Sequence, residues 1–260
     1  MKIQRSALQK SMAIPTGYDS FFSFPVTKGG YSGVAVYTKA DTVAPLKAEE
    51  GLTGALQPKP NLTEQERVSP TYPQAHQIEF YRDENEDTPS SLTALDAEGR
   101  ALVLDFGIFV LINLYCPAET SDSRLPYKMN FHIILEERVR KLIHEEGREV
   151  IIVGDINITA APIDHCDGLL PSHQAGFWGH PPRAWFKNWL APSGQMVDVI
   201  RNAWPERKGM YTCKRKLLPN VSQILTGEGV RLEYEDRGSR FQLRNTYRLY
   251  STDAGFTSVV

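Results

Sequence analysis

The 260-residue chain is poor in the features that would place it in several broad classes. It has only three cysteines, Cys116, Cys166 and Cys213, odd in number and far apart. They fit neither a disulfide framework nor a zinc site, and they point to a reducing compartment. No run of about 18 apolar residues occurs, and no apolar core of a signal peptide follows Met1, so the chain reads as soluble and intracellular, with no membrane partner. Charge of one sign is also missing. Lysine and arginine number 29 against 31 acidic residues, a net charge of -2, so charge balance alone does not call for a nucleic-acid partner. A local basic groove can still hide in a neutral total.

The chain has enough apolar residues, 41%, for a substantial core. Its clearest stretch is Glu149-Val150-Ile151-Ile152-Val153-Gly154-Asp155-Ile156-Asn157. The apolar run reads as a strand buried on both faces, ending in a glycine. Asp155 and Asn157 follow at its carboxyl end. Residues two apart on an extended backbone share a face, and that rim is where open α/β sheets place their chemistry. An acid and an amide there can hold a water, a hydrated Mg²⁺ or a phosphate oxygen. They fit equally well an Asx-type turn in which both side chains bond backbone.

Upstream, residues 1–15 read as the end of a helix, with Ile3, Ala7, Leu8 and Met12 on one face. Tyr18–Phe24 and Tyr31–Thr38 read as a hairpin turning at Gly29-Gly30. Most of 57–90 reads as an exposed loop, punctuated by prolines and by the acidic run 83–87. Ala101–Asp105 and Phe109–Tyr115 read as a second hairpin. Residues 127–146 read as an amphipathic helix with Phe131, Ile134, Leu135, Val139, Leu142 and Ile143 as its apolar stripe. Glu136, Glu137, Arg138, Arg140 and Lys141 read as its solvated side. Strand, helix, strand implies a parallel pair, with Tyr115 and Asp155 on one rim. His165, between Asp164 and Asp167, is a ligand or base candidate, although a lone histidine is more often structural. Short helices are expected around Arg183–Leu190 and Met196–Trp204.

Leu114-Tyr115-Cys116-Pro117, Gly154-Asp155-Ile156-Asn157 and Gly30-Tyr31-Ser32-Gly33-Val34 together resemble the exonuclease/endonuclease/phosphatase superfamily, and within it the exonuclease III-like apurinic/apyrimidinic endonucleases. Pro162-Ile163-Asp164-His165-Cys166-Asp167 and Arg207-Lys208-Gly209-Met210-Tyr211-Thr212-Cys213 are similar to the eukaryotic AP endonuclease 2 branch. The likeness runs from about Lys2 to Cys213. It implies a four-layer α/β sandwich of the DNase I-like type, here incomplete. It also implies a nuclear base-excision-repair enzyme using Mg²⁺ (or Mn²⁺) on double-stranded DNA with abasic sites or 3′ ends. By resemblance Asp155 would activate the attacking water or protonate the leaving group, and Asn157 would orient that water. Asp155 and Asn157 would both help hold the metal. Tyr115 would bond a phosphate oxygen, while Tyr31 and Gly33 would lie beside the DNA backbone.

The pattern breaks in two places. Met1-Lys2-Ile3-Gln4 begins about one residue after the position of the family's metal-binding glutamate. After Cys213 nothing matches in frame, and the sliding-clamp contact of relatives is not encoded here. Yet Leu232–Glu235, read one base out of phase, can yield Trp-Asn-Thr-Lys, and Leu243–Val260 can yield Arg-Ile-Asp-Tyr, both family segments. A partial catalytic domain over 1–213 is therefore expected, with 214–260 a tail from a retained intron plus a frame-shifted exon. Two rivals remain: a non-catalytic DNA-binding fragment or pseudoenzyme, and a phosphatase of the same superfamily.

Overall fold

A computed structural model describes residues 4–26, 32–82, 91–165, 168–174 and 176–210, and the backbone of 258–259. The chain divides into two units, 1–210 with 257–260, and 211–256. All described residues belong to the first.

The elements run α1 (Lys10–Ala13), β1 (Tyr18–Ser23), β2 (Val34–Lys39), β3 (Lys47–Glu50), α2 (Leu92–Asp96), β4 (Ala101–Asp105), β5 (Val110–Tyr115), α3 (Leu125–Arg140), β6 (Val150–Asp155), α4 (Pro171–Gln174), α5 (Pro181–Trp189), α6 (Val199–Ala203) and β7 (Ser258–Val259). β1 and β2 form an antiparallel hairpin sheet, and the second sheet has the order β3-β4-β5-β6-β7. Within it only β5 and β6 pair in parallel, with Tyr115 opposite Asp155.

The layers follow from the two-residue alternation of strands. On the hairpin, Phe21, Val34 and Val36 pack against Leu102, Leu104 and Leu111 of the large sheet. Phe22, Phe24, Ala35 and Tyr37 point the other way, onto Leu8 and Met12. On the far face of the large sheet, Val103, Val110, Ile112, Leu114 and Ile152 meet Phe131, Ile134, Leu135 and Val139 of α3 and Phe186 and Trp189 of α5. The order is helical turns, hairpin, large sheet, helices: four layers. Helix α3 carries the stripe read from the sequence. It widens into a π-turn at Lys141–Glu145 before β6 begins.

Four expectations are corrected. The N-terminal helix is broken into a 3₁₀ turn, Arg5–Ala7, and one α-turn. Strand β6 is fully buried only on its helix-facing side, since Ile151 and Val153 on the other face are half-buried. β3 was not visible in the pattern at all. Most consequentially, 57–82 is not a simple exposed loop, and Arg138 is not solvated. Val68, Ser69 and Tyr72 are buried, and Arg138 is 0% exposed. Tyr72 donates its hydroxyl to Glu49 on β3 at 2.5 Å, and the Arg138 guanidinium lies 4.3 Å from the Tyr72 ring centroid. Arg138 Nη1 also donates to the Thr71 carbonyl at 2.5 Å. Burial, helped by the Glu49 charge, pushes the Tyr72 hydroxyl up to about 12. A buried arginine–carboxylate–phenol cluster therefore ties the loop and β3 to α3.

The acidic run 83–87, Tyr31, Cys166, Asp167 and the tail 214–260 lie outside the described residues, apart from Ser258–Val259, whose backbone pairs with Val153–Gly154. No helix among the described residues is long and apolar enough to cross a membrane.

Candidate functional site

Tyr115 and Asp155 end adjacent parallel strands and are direct register partners, so they share the hairpin-facing side of the same rim. That register depends on Gly154, whose φ is +124°. A Cβ there would stand 2.0 Å from the Leu114 carbonyl oxygen, so only glycine lets β6 approach β5 this closely. The Cys116 N–H then donates to the Asp155 carbonyl at 2.8 Å and continues the pairing one residue past the strands.

Asn157 follows in the left-handed region, with φ +53°, unusual for a residue with a side chain. Two bonds hold it there. Its N–H donates to Asp155 Oδ1 at 3.0 Å, and its Nδ2 donates to the Cys116 carbonyl at 2.8 Å. This is the Asx-type turn weighed from the sequence. It does not silence the site, because neither bond is accepted by the amide oxygen of Asn157. Lys128 of α3 adds a third bond, donating to the Asn157 carbonyl at 2.7 Å. Burial pushes the Lys128 ammonium below its ordinary value. The Arg183 charge adds to that shift, and the Glu119 carboxylate opposes it.

Tyr115 is fixed from the other side. Its N–H bonds the Arg100 carbonyl at 2.8 Å, and Arg100 Nη1 donates to the Tyr115 carbonyl at 3.0 Å. The Arg100 guanidinium lies 4.9 Å from the Tyr115 ring centroid. Arg100 and Arg124 both bond the Glu98 carboxylate, at 2.5 and 2.6 Å. Burial opposes the ionisation of Glu98, but bonds from the two arginines outweigh it and hold its carboxyl below the ordinary value. Ser32 Oγ donates to the Glu98 carbonyl at 2.6 Å. Ser32 and Gly33, with φ +51° and +101°, thus enter β2 anchored to the network that fixes Tyr115.

The structure therefore brings Tyr115, Asp155 and Asn157 to one rim and links the Gly33 turn to it through Glu98 and Arg100. The His165 ring lies 6.0 Å from that of His173. Sequence reading missed Glu98, Arg100, Arg124 and Lys128, two close pairs of charged residues that match no motif and look like ordinary surface charges. It also missed a cleft of about 360 Å³ beside Asn157, lined by Glu119, Lys128, Thr159, His180 and Arg183 among others.

Mg²⁺ prefers octahedral oxygen ligands and keeps several of its own waters. Here one carboxylate and one amide converge, the carboxylate already accepts a backbone N–H, and the amide nitrogen is turned to a carbonyl. Among the described residues no group of three or more His, Cys, Asp or Glu is placed to hold a metal ion. Those residues do not make a resident Mg²⁺ site.

No protein-family model matches the chain. Individual proteins do. It is 36% identical over 244 residues to the DNA-(apurinic or apyrimidinic site) endonuclease 2 of Schizosaccharomyces pombe, covering 90% of this chain and 44% of that protein. It is 34% identical over 231 residues to the Homo sapiens protein of the same description, covering 82% and 41%. The crystal structure of the Xenopus laevis APE2 catalytic domain superposes with a TM-score of 0.58 at 31% identity, covering 79% of this chain and 62% of that one. The chain thus spans less than half the length of these curated relatives.

Proposed function

Because the chain belongs to the exonuclease III-like endonucleases of the exonuclease/endonuclease/phosphatase superfamily, on the AP endonuclease 2 branch, we propose that its rim is the phosphodiester-cleaving centre of a nuclear DNA-repair nuclease. Its substrates would be abasic sites and 3′ ends in duplex DNA. One observation carries the reading: Tyr115 and Asp155 are register partners at the ends of a parallel strand pair, with Asn157 pinned beside them.

The chemistry follows from those groups. Phosphodiester hydrolysis needs a water held in line with the leaving oxygen and donors on the oxygens where charge builds. The Asp155 carboxylate takes a proton from a water whose oxygen bonds phosphorus as the opposite P–O bond breaks, and the leaving oxygen takes its proton from solvent water. The Asn157 amide oxygen accepts the water's second hydrogen and fixes its direction. The Tyr115 hydroxyl donates to a non-bridging oxygen. Gly33, at the entry to β2, would line the path of the backbone; the same role for Tyr31 rests on the family resemblance alone, since Tyr31 lies outside the described residues. Relatives of the superfamily use divalent metals, and a Mg²⁺ or Mn²⁺ would neutralise phosphate charge. The described residues do not complete a site for it. For the same reason incision by this chain is expected to be slow. That incomplete donor set is also what favours the second reading, a DNA-binding pseudoenzyme.

The test incubates the full chain with an abasic-site duplex in Mg²⁺ and follows binding and strand scission separately. Binding is expected, with scission at least about tenfold slower than by a complete family member, and lost in Asp155→Asn. Scission unchanged in Asp155→Asn would refute the role of Asp155. Binding with no scission at all would leave the pseudoenzyme reading, and absence of binding would refute both.

A further inference from the structure

Asn157 forms one edge of the cleft, and the rest of the lining has no part in the chemistry above, yet its charge is unusual. Lys128 is only 4% exposed, and its ammonium spends one donor on the Asn157 carbonyl at 2.7 Å. Two N–H donors remain, and the side chain lines the cleft. Arg183 enters from the first turn of α5, its guanidinium stacked 4.3 Å from the Phe177 ring centroid and its Nη1 only weakly engaged, 3.5 Å from the Phe177 carbonyl. Most of its planar fork is therefore unspent. The Thr159 hydroxyl shares the lining. Against these stands the Glu119 carboxylate, 3.0 Å from His180 Nε2. Lys128 is buried and Arg183 half-buried, and cations drawn out of water favour an anion beside them. His180 aside, Lys128 and Arg183 against Glu119 leave one positive charge on the lining.

We infer that this cleft seats one non-reacting phosphodiester of the DNA strand, next to the phosphate held at the Tyr115–Asp155 rim, with Arg183 and Lys128 as its donors. This rests on the nuclease reading and deepens it. Position supports it. Ala118 and Glu119 follow Tyr115 by three and four residues, and Thr159 follows Asn157 by two. Asn157 belongs both to the rim and to the cleft lining, so the two adjoin, as neighbouring phosphates of one strand do. Charge selects the class of anion. A phosphodiester carries one negative charge, which matches the lining. A phosphate monoester carries about -1.5 to -2 and would meet Glu119 unfavourably. Guanidinium geometry suits two phosphate oxygens at once.

The experiment measures binding of the full chain to a fluorescent DNA duplex by anisotropy over a range of KCl. Each phosphate contact contributes about 0.9 to the slope of log affinity against log salt. Arg183→Gln is expected to lower that slope by about 0.9, and Arg183→Lys to keep it. Glu119→Gln is expected to tighten binding on the order of tenfold, because it removes the charge that repels phosphate. Arg140→Gln, on the solvent side of α3, is expected to change nothing. Inorganic phosphate at equal concentration is expected to compete poorly. The opposite signs matter, since a general loss of structure would weaken both cleft variants. If Arg183→Gln does not fold, the direction of the Glu119→Gln effect decides alone. DNA binding with an unchanged slope in Arg183→Gln, or weakened binding in Glu119→Gln, overturns this inference while leaving the nuclease reading intact. A parent chain that binds no DNA refutes that reading, and this inference with it.

Discussion

Consider replacing His132 with phenylalanine. The imidazole is 0% exposed in the helical layer, stacked 4.6 Å from the Trp185 ring at 20°. Neither ring nitrogen has a hydrogen-bond partner. Burial, with the nearby Lys128 charge, pushes its pKa down from 6.5 to about 3. The folded protein therefore refuses a proton that the unfolded chain accepts. The stability carried by the neutral ring is fully present above about pH 6.5 and is lost as pH falls towards about 3, at about 1.4 kcal/mol per pH unit. At about pH 5 the loss is on the order of 2 kcal/mol. His132→Phe keeps a flat ring against Trp185 and removes both orphan nitrogens, so it is expected to be neutral or mildly stabilising near pH 7. Urea unfolding at about pH 7 and about pH 5 is the assay. The parent should lose on the order of 2 kcal/mol more than the variant between them. Asp96, whose carboxyl is raised by burial, shifts stability in the opposite direction, but equally in both proteins, so it cancels in the difference. Equal pH losses in parent and variant would refute the argument.

Three further outcomes are expected. Arg138→Met removes the buried cation facing the Glu49 carboxylate, which keeps its bonds from Tyr72 and Val68, and should cost on the order of 3–5 kcal/mol in the same unfolding assay, with Glu49→Gln added on top costing less than its single effect. Gly154→Ala drives a methyl into the Leu114 backbone, and a loss on the order of 3 kcal/mol or more is expected; a variant of parental stability would show that β5 and β6 can separate without cost. The proposal that 214–260 comes from a retained intron and a shifted exon implies transcripts spliced from the Cys213 codon to the Arg231 region, and deep sequencing that finds only the unspliced message would remove it.

The parts of the fold legible in the sequence are those whose burial is periodic. β5, α3 and β6 could be read because their apolar residues repeat at 2 and 3.6 or form an unbroken run. β3 could not, because Lys47-Ala48-Glu49-Glu50 is charged, and Glu49 is buried only by virtue of Tyr72 and Arg138, distant in the chain. Arg138 misled for the same reason: a charge between apolar positions reads as solvent-facing until its partner is known. At the site, Gly154-Asp155-Ile156-Asn157 was visible as a spacing. Glu98, Arg100, Lys128 and Arg183 were not, since what unites them is a place in space.

The docking of 57–82 has a consequence for how the molecule opens. That segment contributes no strand to either sheet and is held chiefly through side chains: Tyr72 on Glu49, Thr71 on Arg138, and Ser69 and Thr71 on Glu146. β5, α3 and β6 are contiguous in sequence and hold one another by backbone pairing and core contacts. Amide hydrogen exchange should therefore be hierarchical. Protons of β5 and β6 exchange only by global opening. Those of 57–82 exchange through a smaller excursion in which the segment lifts off while the sheet stays closed. In that excursion Glu49 and Arg138 meet water, so the segment behaves as a flap whose release is helped by salt and by any change that lets those two charges hydrate.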